Sequence, residues 1–98
     1  MTLTSPLIAE AQSCRASSFS IGASVFELIP TAGAARAWRC EASRIRIAER
    51  LREGRLWEYT ALRPSPSGSV MQWLERNGHV RKFVSPAAAA RAALNEWS

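Results

Sequence analysis

Arg36, Arg39, Arg46 and Arg50, with Ser43 between the two pairs, follow one another at steps of 3, 4, 3 and 4 residues. At about 100° per residue that spacing lines them up as one narrow strip on a helix. Guanidinium groups stay charged at all relevant pH and present a planar fork of donors, so such a strip suits phosphate or carboxylate. On the same wheel Trp38 and Ile45 point away from the strip, flanked by Ala34, Ala42 and Ala48, as on a helix laid against a sheet. Glu41 and Glu49 fall on other sides, nearer Arg44 and Arg52, and leave the strip without counter-charge. Arginines at these spacings repel one another, and an acidic partner relieves that repulsion. The plain alternative is a solvated helix face.

Catalytic chemistry has few parts to work with. The chain contains no aspartate, which excludes an Asp-containing triad, an aspartyl nucleophile and the usual aspartate ligands of magnesium. Its one histidine, His79, stands just after an Asn-Gly pair, and nothing local brings Cys14 or Cys40 to it as a nucleophile and base. Two cysteines 26 residues apart in sequence and one distant histidine do not make a zinc set. Gly22, Gly33, Gly54, Gly68 and Gly78 are isolated, with neither a Walker-A lysine nor a dinucleotide fingerprint. The expectation is a protein that is not an enzyme and carries neither cofactor nor metal.

Ninety-eight residues with 47% apolar content fit one small domain with one core. The net charge is +5, from twelve arginines and the single Lys82 against eight glutamates. That bias favours a nucleic acid or an acidic protein surface as partner. Cys14 and Cys40 read as free thiols of a reducing compartment. No run reaches the ~18 apolar residues of a membrane span, and the N-terminus has no basic segment leading into an apolar one. A cytoplasmic protein without membrane partners is expected.

The elements that must position these groups are signalled unevenly. Residues 1–18 form an N-terminal arm or short helix, with Ser5 and Pro6 as cap and first-turn proline, and residues 19–98 form the domain. Val25, Phe26, Leu28 and Ile29 predict a strand over 24–29, with Gly22 as a turn or bulge. Thr31 and Gly54 bracket the arginine-striped helix. A strand over 55–63 places Trp57, Tyr59 and Ala61 on one face, and the Pro/Ser/Gly run of 64–69 is a loop. Asn77-Gly78 predicts a type I′ hairpin between 70–76 and 79–85, which sets Glu75 opposite Val80 and Trp73 opposite Lys82 as a cation–π pair. Ser85 and Pro86 begin a second helix to Trp97, packing through Ala90, Ala93, Leu94 and Trp97. The sum is an α+β domain, βαβββα, with an antiparallel sheet and two main helices on one face.

The order helix, three strands, helix over 34–97 is similar to a double-stranded RNA-binding domain. That resemblance implies a lysine-rich start to the second helix, where this chain has Ser85, Pro86, Ala87 and Ala88. The piece from Val70 to Trp97 resembles in outline the hairpin and helix of phage integrase arm-binding domains. In size and layout, with a strand, a helix and a meander from Trp57 to Val84, the chain resembles small phage-encoded anti-CRISPR inhibitors. This last likeness implies a non-enzymatic protein that blocks a nucleoprotein complex by occupying a protein or nucleic-acid-binding surface. The binding set would be Arg36, Arg39, Arg46 and Arg50, extended by Arg76, Arg81 and Lys82, with Trp57 and Tyr59, or Trp73, as exposed aromatic anchors. The alternative is direct DNA or RNA binding through the same cations, and the exposed sheet face leaves room for a homodimer.

Overall fold

The computed structural model describes residues 17–33, 35–54 and 56–97. Six strands form one antiparallel meander, in which each strand pairs with the next. They are β1 (Ser18–Ile21), β2 (Ser24–Ile29), β3 (Ala37–Arg39), β4 (Arg46–Arg52), β5 (Leu56–Pro64) and β6 (Met71–Trp73). A small ribbon of β7 (Glu75–Arg76) and β8 (His79–Val80) follows, and one helix, α1 (Pro86–Glu96), closes the chain. The expected strand 24–29 is β2, and Gly22 sits in the turn that joins it to β1. The arm expected over 1–18, with Cys14, lies outside the described residues except for Ser17 and Ser18.

The arginine-striped helix is not formed. Residues 37–52 make the β3–β4 hairpin, so α1 is the one helix among the described residues, and βαβββα with two main helices gives way to a six-stranded meander carrying one. The physical reason lies in Ile45, Ile47 and Trp38, which are 2%, 0% and 0% exposed. On a helix Ile45 and Ile47 would stand about 200° apart, and one of them would face water. Strand alternation sends Trp38 and Ile47 to the same face, directly opposite each other in register. The reversal between β3 and β4 is closed by Cys40, whose carbonyl accepts from the Arg44 amide at 2.8 Å and whose amide donates to Ile45 at 2.9 Å. Gly54 does adopt a positive φ of 69°, but beside Glu53 at 52° in the β4–β5 turn instead of past a helix end.

β5 is the organising strand. One edge carries the seven-residue ladder to β4, from Arg46↔Leu62 to Arg52↔Leu56. Its other edge is shared, with β6 pairing to Leu62, Arg63 and Pro64 and Phe83 bridging to Tyr59. The β7–β8 ribbon turns on Asn77 and Gly78, whose φ values of 54° and 80° are those a type I′ turn requires, and it sets Glu75 opposite Val80 as expected.

Helix α1 lies on one face of the sheet, and its Ala89, Ala90 and Ala93 join Phe26, Trp38, Ile47, Tyr59, Ala61 and Leu74 in a single core. Small alanines let the helix approach the sheet closely, and Phe19, Leu94 and Trp97 pack around the margin. Ser85 caps the helix, its hydroxyl accepting from the Ala88 amide at 3.1 Å, with Pro86 at the first position. Ser85→Ala leaves that amide without its partner and is expected to cost about 1 kcal/mol, read as a lower urea midpoint at unchanged slope.

Candidate binding face

Alternation along the strands sends every second residue away from α1, and that outer face collects the basic side chains. Arg39 stands directly opposite Arg46, Arg46 opposite Leu62, and Leu62 opposite Trp73, forming one row across β3, β4, β5 and β6. The next row, Ala37, Ala48 and Thr60, is made of small residues, and Arg50 and Glu58 form the row beyond it. Two arginine-bearing rows thus flank a low floor. Trp73 and Lys82 are 43% and 47% exposed there, and Arg50 reaches 67% at its side chain.

Two depressions open on this face. One of about 250 Å³ is lined by Ala48, Arg50, Thr60, Trp73, Val80 and Lys82, among others. A second of about 200 Å³ lies between Arg39, Arg44, Arg46, Pro64 and Met71. Counter-charge is thin. Glu41, almost fully exposed, is 3.9 Å from Arg39, a distance and setting that contribute little. Glu58 is buried, and its Oε1 lies 3.8 Å from both Arg50 Nε and Lys82 Nζ without a hydrogen bond from either. Arg44 and Arg46 have no carboxylate partner among the described residues.

Arg36 leaves the set. It precedes β3 and turns toward the core side, where its Nη2 donates to Glu49 Oε2 at 2.9 Å and its backbone amide donates to Oε1 at 2.9 Å. The Tyr59 hydroxyl donates to the same Oε2 at 2.9 Å, and the guanidinium lies 4.9 Å from the Trp38 ring centre. Glu49, read from a helical wheel as remote from the strip, is therefore the carboxylate that takes Arg36. Tyr59 is 3% exposed and serves this buried network, so it is no surface anchor.

Burial pushes the Glu49 carboxyl up, but the Arg36 side chain, the Arg36 amide, the Tyr59 hydroxyl and the Arg36 charge outweigh it and hold the group below the usual carboxylate range. A folded-state value below the unfolded one contributes stability that is complete above the unfolded range and lost as pH falls through the folded value. Wild type is therefore expected to lose stability on acidification below about pH 4.5, the ordinary glutamate value. Glu49→Gln, which leaves a charged guanidinium facing a neutral amide, is expected to cost about 3 kcal/mol at pH 7 and to flatten that acid limb. Urea unfolding of both proteins at several pH values checks the sign and the crossing.

The remaining expected residues divide between the two sides. Lys82 reaches the outer face, whereas Arg76 and Arg81 line a hollow on the helix side with Phe83, Ala88 and Arg91, so the three do not extend one patch. Trp73 and Lys82 line the same outer depression, but the cation–π contacts found among the described residues are Arg36 over Trp38, Arg63 over Trp97 at 4.5 Å and Arg81 over Phe83 at 5.1 Å. Trp57, 42% exposed, sits away from both depressions at the far end of β5. It pairs with Leu51 across the β4–β5 hairpin and, with Leu56 and Val84, borders a hollow of about 340 Å³ that Arg52 and Lys82 also line. Leu51, Leu56 and Val84 are 43%, 58% and 81% exposed, so this hairpin end is an apolar patch that the sequence reading did not single out. Arg44 and Met71 were also missed. The alternation of arginine with isoleucine over Arg44–Ile47 was the signal that could have found the outer face.

No protein family, no curated protein and no solved structure matches the chain. Among the described residues no helix is long and apolar enough to cross a membrane, and no three histidine, cysteine or glutamate side chains gather as a metal site.

Proposed function

We propose that this chain is a small non-enzymatic binding protein that blocks a nucleoprotein complex by covering one of its surfaces, in the manner of anti-CRISPR inhibitors. The observation that carries this reading is the apolar hairpin end of Leu51, Leu56, Trp57 and Val84, which adjoins the basic outer face through Arg52 and Lys82. Exposed apolar side chains rimmed by charge are the composition of a protein-docking surface, and tryptophan and arginine dominate the binding energy of such surfaces. Occupying a surface needs complementary charge and an aromatic anchor and no catalytic group. Immobilised wild type is expected to retain a nucleoprotein subunit from a lysate of the source cell in high salt, and Leu56→Ser/Trp57→Ser is expected to lose it. Retention that ignores the hairpin substitutions overturns the reading.

A second reading, direct DNA or RNA binding, is favoured by the Arg39–Arg46 pair. Like charges directly opposite on neighbouring strands are mutually destabilising, and an anion between them removes the penalty. With Arg36 committed to Glu49, three arginines remain for phosphate: Arg39, Arg46 and Arg50. At roughly 0.9 per contact they predict a log–log salt slope of about −2.7 on duplex DNA. Anisotropy titrations at several salt concentrations measure it, and a slope near zero removes this reading.

A further inference from the structure

We infer that the outer sheet face is built for single-stranded nucleic acid, with one unpaired base stacked on Trp73 and the neighbouring phosphates held by Arg46 and Arg50. The inference rests on the direct nucleic-acid reading and names its ligand class.

Three observations lead there. The first is the row Arg39, Arg46, Leu62, Trp73, which puts guanidinium and indole on one line across adjacent strands. Neighbouring strands lie about 4.8 Å apart, so Arg46 and Trp73, two strands apart, are separated by roughly 10 Å. Long side chains shorten that gap to what one nucleotide can bridge, its phosphate on Arg46 and its base on Trp73. The second is the floor beside Trp73: Ala48 and Thr60 are small, and the depression of about 250 Å³ above them is walled by Arg50, Val80 and Lys82. A flat ring can therefore lie against the indole without displacing a large side chain. The third is charge: Arg44 and Arg46 have no carboxylate partner among the described residues, while Arg50 and Lys82 share the single buried carboxylate of Glu58.

Duplex is disfavoured by the same geometry. Paired bases hide their ring faces in the helical stack, so a duplex can use the arginines but leaves Trp73 without a role. A single strand offers both, and stacking tolerates any base because each has a π face. The face is also open along its length, as a threaded strand needs.

The test uses the full chain with labelled oligothymidylate, oligouridylate and a duplex of equal length at fixed salt. Single strands are expected to bind at least several-fold more tightly than duplex and to quench tryptophan fluorescence. Trp73→Ala is expected to weaken single-strand binding about 10-fold, within the range of one stacked base, and to leave duplex binding unchanged. Trp73→Phe should restore most of the loss, and Trp57→Ala, at the remote hairpin end, should bind as wild type. Trp73 is half exposed, so its substitution leaves the core intact, which far-UV circular dichroism verifies. Duplex binding equal to single-strand binding, or a Trp73→Ala protein that binds as wild type, overturns the inference while leaving direct nucleic-acid binding in place. Absence of binding to every oligonucleotide overturns both.

Discussion

Charge reversal at the paired arginines, Arg39→Glu/Arg46→Glu, is expected to weaken nucleic-acid binding at least about 100-fold at moderate salt. A charge-assisted hydrogen bond contributes about 1.5–3 kcal/mol, and two are removed. The double variant also replaces attraction by repulsion at the end of the face where Arg44 is the nearest remaining cation. The salt slope on duplex DNA should fall from about −2.7 toward about −0.9, the value for Arg50 alone. Stability should hardly change, because both side chains are exposed and their strands are held by backbone ladders and by Trp38 and Ile47 on the opposite face. Anisotropy gives the affinity, and a parallel urea titration shows whether binding was lost without unfolding. Unchanged affinity in a folded double variant would mean that the arginine pair is solvated surface.

The largest stability effect is expected at Trp38. Its side chain is fully buried, with the Phe19 ring 6.0 Å away edge-on, the Tyr59 ring at 6.1 Å, and the Arg36 guanidinium packed on its face. Trp38→Ala removes these contacts and opens a cavity between sheet and helix, a change that costs about 3–5 kcal/mol in well-packed cores. Small domains have only about 5–15 kcal/mol in total, so the variant should unfold at much lower urea or remain partly unfolded without it. The Arg36, Glu49 and Tyr59 network touches the same ring, and its loss would add to the effect. Trp57→Ala and Trp73→Ala, half exposed at the surface, should each change stability by less than about 1 kcal/mol. Urea midpoints for the three variants test the ranking, and a Trp38→Ala protein as stable as the other two would contradict the core described above.

Local chemistry made several elements legible. Val25 to Ile29 reads as a strand because β-branched and aromatic residues cluster before Pro30. Asn77-Gly78 reads as a type I′ turn because both residues tolerate positive φ, and Ser85-Pro86 reads as a helix start because one supplies a cap and the other a preset φ. Arg36 to Arg50 was misread because steps of 3 and 4 satisfy a helical strip, while the same segment also contains an alternating run. Arginine and alanine favour helices, so both propensity and spacing pointed the wrong way. Tertiary context overrode them, since only a hairpin buries Trp38, Ile45 and Ile47 together.

The candidate site followed the same division. That Arg39, Arg46 and Arg50 share a face was legible, although for a helical reason: residues 46 and 50 coincide on a strand face as well as on a helix face, and Arg39 joins them by pairing with Arg46. That Arg36 would leave the set for Glu49, that Tyr59 would be buried, and that Arg81 and Lys82 would part to opposite sides were not legible.

By itself the amino-acid sequence determined the turns, the cap of α1, the basic balance of the surface and the absence of aspartate chemistry, because each depends on one residue or on near neighbours. Only the tertiary structure decided which cations meet a partner and which meet a carboxylate. That outcome depends on strand register, which brings Arg36 to Glu49 and Leu62 to Trp73 across distances in the chain that no local preference encodes.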